Sequence, residues 1–218
     1  APVKVMVGSA GADILTQAPG TGFMVGGAGN DTYHVSDSAV VVTEIAGGGS
    51  DTVIASVGYT LPDASAIEFL HAAAGAPGLA LTGNKLANTI VGGSGADILA
   101  GGRGKDVLTG GGGPDVFVFR EIADSSFGGA TRDRITDFSI PGGDRIDLRL
   151  IDANVGLPGD QSFTFIGSAA FSGSAGELRQ SALGADTWVQ GDVNGDGVGD
   201  FSFLLNGSHT LSVVHFNL

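Results

Sequence analysis

The chain has 218 residues, enough for one elongated domain or two small ones with a real core. It carries 39 glycines, yet 42% of its residues are hydrophobic and its mean hydropathy is +0.26, which excludes a solvated Gly-rich linker. A formal charge of −13 speaks against nucleic acid and anionic membranes as partners, and the lack of cysteine excludes disulfides and thiolate metal sites.

Nine-residue repeats open the chain. Residues 8–16 read GSAGADILT and 26–34 read GGAGNDTYH; after an interval, 92–100 (GGSGADILA), 101–109 (GGRGKDVLT) and 110–118 (GGGGPDVFV) follow back to back. All five place Gly at positions one and four and Asp at position six. Position eight is a large apolar residue: Leu15, Tyr33, Leu99, Leu108 or Phe117. Glycine permits positive φ and close backbone packing, so the first six residues can turn tightly with carbonyls inward. The last three are β-formers whose position-eight side chain faces in. One repeat is then a half-turn, and loops 18 residues apart stack. Stacking gathers short carboxylates and carbonyls into an all-oxygen cage of the kind Ca²⁺ prefers. The acid count agrees: there are 19 Asp but only four Glu (Glu44, Glu68, Glu121, Glu177), and generic acidic solubility would draw on both.

The spacing pairs Asp13 with Asp31 and Asp97 with Asp115. The degenerate repeat GNKLAN (83–88) puts Asn88 below Asp106, with Asp124 above it. Asp51, in GGGSD, is a weaker candidate. From residue 26 to 92 is 66 residues, seven repeats plus three, so 35–82 should continue as irregular coils with an insertion and hold few ions. From about 133 the repeat gives way to period-two apolar patterns (134–138, 162–166, 201–205) between Gly/Asp turns. These read as an antiparallel β-sandwich capping the open end of a solenoid. The expected organisation is an irregular β-roll over 1–82, a core over 83–132 and a cap over 133–218. DVNGDGVGD (192–200) looks like the first half of an EF-hand loop, with Asp192, Asn194 and Asp196 at positions one, three and five and Asp200 beyond. Position twelve is Phe203, so the segment reads either as a Ca²⁺ site or as an Asx-rich hairpin turn.

The repeats resemble the RTX (repeats-in-toxin) nonapeptide GGxGxDxUx, where U is a large apolar residue, a Ca²⁺-binding repeat. The stretches FVFREIADS (117–125), DRITDFSIPGGDRIDL (133–148) and GDVNGDGVGDFSFLL (191–205) resemble the serralysin C-terminal domain and the R-modules of alginate epimerases. The resemblance implies an all-β fold: a right-handed parallel β-roll with an antiparallel cap. It also implies that loop carbonyls complete each Ca²⁺ cage: Ser9 and Gly11; Gly26 and Ala28; Gly93 and Gly95; Gly101, Gly102, Arg103 and Gly104; Gly110 and Gly112. Asp133 should close the last site. Function follows the same way: a module of an extracellular protein, exported by type I secretion machinery that reads the C-terminus, and folding on Ca²⁺. The tail LSVVHFNL resembles such uncleaved signals, except that His215 stands where an acid is usual and Asn217 interrupts the apolar run.

No catalytic constellation is visible. The four histidines (His34, His71, His209, His215) are scattered and HExxH is absent, so the serralysin zinc site is missing and a non-catalytic domain is expected. No Gly-rich run is followed by the Lys-Ser/Thr of a phosphate loop. No apolar run approaches the ~18 residues of a membrane span, and Ala1 to Val7 lacks the apolar stretch of a cleavable signal. Two alternatives stay open. One is an accessory module holding a polysaccharide such as alginate through a basic patch of Arg103, Lys105, Arg120, Arg132 and Arg134. The other is the C-terminal part of a serralysin-like metalloprotease.

Overall fold

The computed structural model describes residues 3–218; Ala1 and Pro2, which open the segment read as lacking a cleavable signal, lie outside them. The first strands are β1 (Lys4–Val7), β2 (Ile14–Thr16), β3 (Thr21–Val25), β4 (Thr32–Val35), β5 (Val41–Thr43), β6 (Thr52–Ala55) and β7 (Tyr59–Thr60). The middle of the chain adds β8 (Phe69–Ala72), β9 (Ala80–Thr82), β10 (Thr89–Gly93), β11 (Ile98–Ala100), β12 (Val107–Gly111) and β13 (Val116–Val118). After them come β14 (Arg134–Ile135), β15 (Arg145–Asp147), β16 (Thr164–Phe165), β17 (Glu177–Leu183), β18 (Asp186–Asp192), β19 (Phe201–Leu205) and β20 (Phe216–Asn217).

Up to β15 the chain alternates between sheets. The even strands β2 to β14 pair in parallel in sequence order; β1, β3 and β5 form one odd ladder, and β7, β9, β11, β13, β15 and β20 another. This is a parallel β-solenoid, and its register shows why the repeat length matters. Position-eight residues stack on one another: Leu15 on Tyr33, Ile90 on Leu108, Leu99 on Phe117, each 18 apart. The columns extend through Val53, Leu70 and Ile135 on one side and Leu81 and Ile146 on the other, all buried. Burying each such side chain contributes about 1.5–3 kcal/mol.

The phase slip between the two repeat blocks resolves into coil lengths. Tyr33 to Val53, Val53 to Leu70 and Leu70 to Ile90 are coils of 20, 17 and 20 residues, three more than three regular coils. Between β5 and β7 the backbone ladder stops, and the buried Tyr59 hydroxyl bridges the gap. It accepts the Val42 N–H (3.2 Å) and donates to the Val40 carbonyl (3.0 Å).

At the C-terminal end, β14 pairs in parallel with β19, which continues into the antiparallel meander β19-β18-β17, with β16 at the edge. The antiparallel strands expected of a cap are present, and they extend the even-strand sheet of the roll. Phe119 stacks on Phe203 at 4.4 Å between ring centroids, and Phe163 meets Phe201 edge-on at 5.5 Å. At the other end Val3, Val5, Val7 and Ile14 are exposed. Among the described residues no helix is long and apolar enough to cross a membrane.

Candidate metal centres

The loops between strands carry the aspartates, and two constraints shape them. In the regular loops position one is glycine because the position-six carboxylate occupies the space of a side chain: a Cβ on Gly92 would lie 2.6 Å from Asp97 Oδ2 and 2.6 Å from Gly110 O. Position two turns left-handed in the regular loops, with φ +87° at Gly102 and +96° at Gly111, which only glycine adopts without strain.

From Asp31 onward the position-six carboxylate of a loop does one thing the sequence did not announce. Its Oδ1 accepts the backbone N–H of the residue one coil earlier, replacing a rung of the ladder with a side chain. On the edge before the even strands, Asp31 takes the Asp13 N–H (2.8 Å) and Asp51 that of Asp31 (2.8 Å). Glu68 takes the Asp51 N–H (2.8 Å), Asp106 that of Asn88 (2.7 Å) and Asp133 that of Asp106 (2.8 Å). On the other edge, Asp97, Asp115 and Asp144 do the same for Leu79, Asp97 and Asp115, at 2.6–2.9 Å.

The second oxygen is the telling one. Ten buried side-chain polar atoms among the described residues lack a hydrogen-bond partner, and six of them are Oδ2 of Asp31, Asp51, Asp97, Asp106, Asp115 and Asp133. A buried carboxylate oxygen without a donor is costly unless it is protonated or meets a cation. Burial accordingly pushes four of these acids up: Asp51 and Asp115 to about 6, Asp106 to about 7, and Asp133 to about 9, with Asp106 as a second cause for Asp133. Burial also raises Asp124 and Asp144. The loop carbonyls of Ser9, Gly11, Gly26, Gly95, Gly101 and Gly110 lie against glycines of the neighbouring loop. Orphaned carboxylates beside carbonyls make an oxygen-only donor set, which fits a hard divalent cation.

The expected ligands are placed unequally. Asp97 with Asp115 and Asn88 with Asp106 stack as spaced. Asp13 is different, because its Oδ2 already accepts the Ser9 N–H (2.5 Å) and hydroxyl (2.8 Å), which hold its pKa down. Above Asp106 the rung goes to Asp133; Asp124 sits in a short 3₁₀ turn, accepts the Arg120 N–H (2.7 Å), and still raises Asp106 by its charge. The Gly93 carbonyl accepts the Gly112 N–H (2.8 Å), so it serves the ladder. Ala28, Gly102, Arg103, Gly104 and Gly112 lie in the same loops. In the 192–200 loop both Asp192 oxygens accept backbone N–H groups (Gly195, 2.7 Å; Gly197, 2.9 Å). Asn194 and Asp196 each cap an Asx turn, and Asp200 accepts the Val193 N–H at 2.7 Å.

Four acids were missed. Glu44 and Asp137 stand at position one of their loops, where the repeat has glycine; Asp137 accepts the Gly110 and Gly111 N–H groups (2.9 and 2.8 Å). Glu68 and Asp144 occupy position six. Asp144 was readable: Asp-Arg-Ile occurs at 133–135 and again at 144–146, and both isoleucines are buried.

The expected basic patch assembles only in part: Arg103 and Arg120 line one groove, but three members have other partners. Arg103 pairs with Glu121 (2.7 Å) and Arg134 with Asp186 (2.7 Å), while the Arg132 guanidinium lies 4.6 Å over the Trp188 ring. The histidines stay apart as well: His34 and His71 share a column with Ile54 between them.

A parallel solenoid whose turns stack aspartates, each with one oxygen in the ladder and the other facing the loops, is a β-roll of the RTX kind. The chain belongs to the peptidase M10 serralysin C-terminal family, whose model matches residues 6–214. Among solved structures, it is similar to the AlgE6R2 subunit of the mannuronan C5-epimerase of Azotobacter vinelandii (22% identity, 99% of this chain and 93% of that chain, TM-score 0.40). It is also similar to the AlgE6R3 subunit of the same enzyme (27% identity, 69% and 78%, TM-score 0.29). No curated protein matches the chain.

Proposed function

We propose that this chain is a non-catalytic, calcium-dependent folding module of an exported protein. The observation that carries the reading is the set of six buried carboxylate oxygens without donors, aligned along the two edges of the roll. Without a cation, Asp51, Asp106, Asp115 and Asp133, whose pKa burial raises, either stay protonated or meet repulsion from their neighbours, and the glycine-rich backbone adds a large ordering cost. In a cytosol with free Ca²⁺ far below dissociation constants of about 10⁻⁴ to 10⁻³ M, the chain remains unfolded. Outside the cell, ligation supplies folding free energy. The tail fits this order of events. Phe216–Asn217 is a strand paired with β15, and Phe216 is buried, so secretion machinery would have to engage the terminus before the roll closes. Circular dichroism tests the reading: Ca²⁺ should produce the β signal and raise the melting temperature, and a spectrum unchanged by EDTA would refute it.

A second reading, capture of an acidic polysaccharide, is favoured by one feature. Lys85 and Arg120 line a groove of about 750 Å³ along the coils, and neither is ion-paired among the described residues. Asp63, Glu121 and Asp124 share its walls, which weighs against a polyanion. Titration of alginate oligomers into the Ca²⁺-loaded protein decides, since absence of saturable binding removes this reading.

A further inference from the structure

The strongest unassigned feature is Glu44, a carboxylate beside two position-six aspartates where the irregular coils begin. Asp31 and Asp51 occupy position six of consecutive even-edge loops, and Glu44 follows β5. One carboxylate oxygen from each lies within 4.8 Å of the others, and all three residues are buried. A cation at the ~2.3–2.6 Å typical of Ca²⁺–oxygen bonds spans such a set.

Three independent details orient it. Oδ2 of Asp31 and of Asp51 has no partner, in residues only 1% and 0% exposed. Glu44 is fixed through one oxygen: Oε1 accepts the Gly26 and Gly27 N–H groups (3.0 and 3.3 Å) and the Tyr33 hydroxyl. Its Oε2 accepts no hydrogen bond among the described residues and lies near the same point as the Gly27 and Ile45 carbonyls, against Gly48. Finally, a Cβ on Gly26 would collide with Asp31 Oδ2, Glu44 Oε1 and Tyr33 Oη together, so these atoms converge on one wall.

We infer that Asp31, Glu44 and Asp51 form a three-carboxylate site for a hard divalent cation, distinct in donor set from the nonapeptide turns. The inference rests on the same reading of the roll as a cation-binding solenoid. It differs in assigning an ion to the coils expected to hold few, and in naming a glutamate that the repeat does not contain. Three formal negative charges against two in a regular turn make this site favour trivalent lanthanides.

The Tyr33 hydroxyl touches Glu44, which supplies a specific readout. In a Trp188→Phe background only Tyr33 and Tyr59 can sensitise Tb³⁺ luminescence, apart from the weakly absorbing phenylalanines. The full chain should give tyrosine-sensitised emission that Ca²⁺ competes away. Tyr33→Phe should lower that emission several-fold with calorimetric Ca²⁺ stoichiometry unchanged. Glu44→Gln should remove one ion from the stoichiometry and weaken that step at least tenfold. Undiminished emission in Tyr33→Phe, or full stoichiometry and affinity in a folded Glu44→Gln, overturns the site while leaving the regular turns intact. If Glu44→Gln does not fold, Tyr33→Phe decides alone, since all three carboxylates remain. A parent protein that binds no Ca²⁺ at all overturns the calcium reading as a whole.

Discussion

Glycines of one loop do different work, and substitution separates them. At Gly110 a Cβ would press into the Asp115 carboxylate, with Cγ at 2.8 Å and the backbone-proximal Cβ at 3.0 Å, so the acid itself must move. At Gly112 the nearest heavy atom is 4.0 Å away, and φ is not positive. Gly110→Ala should therefore cost about 1–3 kcal/mol and weaken Ca²⁺ binding, whereas Gly112→Ala should stay within about 0.5 kcal/mol. Urea melts of the Ca²⁺-loaded variants check both. The carboxylates carry a pH signature too. The folded-state pKa values of Asp106 and Asp133 are raised, so between the ordinary value of 3.8 and the raised one the folded chain binds more protons than the unfolded chain. The metal-free roll accordingly loses stability as pH rises from about 4, through about 7 for Asp106 and about 9 for Asp133. In EDTA, β content should be higher at pH 5 than at pH 8. Asp133→Asn should flatten that dependence and at the same time lose affinity for Ca²⁺. A metal-free signal that grows towards pH 8 would contradict this account.

A single coil is held by more than its backbone ladder, and this is where the sequence was only partly legible. Position-eight columns, the eighteen-residue coil and the stacking of Asp97 on Asp115 follow from periodicity, because identical spacing forces identical height in the solenoid. The side-chain rungs did not follow. A position-six aspartate reads as a cation ligand through its charge, and nothing in Gly-x-Asp spacing announces that one oxygen replaces a backbone acceptor. Glu68 and Asp137 were hidden for a related reason, since coils of 17 and 27 residues break the nine-residue count; Glu44 keeps the count, 18 residues after Gly26, but stands where the repeat has glycine. Tyr59 belongs to the same irregular stretch. Its hydroxyl serves a donor and an acceptor where β5 and β7 do not pair, and its pKa is raised chiefly by burial. Tyr59→Phe leaves the Val42 N–H and Val40 carbonyl without that partner, at a cost of about 1–3 kcal/mol. Hydrogen exchange at the Val42 amide should accelerate sharply while amides in β10 to β13 keep their protection.

Across the whole molecule the two ends of the solenoid are unequal, and that asymmetry sets the order in which it comes apart. In a stacked array each coil is stabilised by its neighbours, so the end with fewer contacts opens first. At the N-terminal end β1 and β2 are the outermost strands of their sheets, Val5, Val7 and Ile14 are exposed, and Asp13 has its Oδ2 satisfied by Ser9. That loop has little to gain from an ion. At the other end β14 and β15 are each covered by a further strand, β19 and β20, and Phe119, Phe201, Phe203 and Phe216 are buried beneath the cap. The apolar contacts there do not depend on a cation. Graded removal of Ca²⁺ should therefore strip hydrogen-exchange protection first from β1 to β3, next from the ion-dependent coils of β4 to β13, and last from β17 to β19. Loss of protection in the cap before β2 and β4 would show that cation binding, and not apolar burial, holds the C-terminal end, reversing the division of labour between the two halves of the chain.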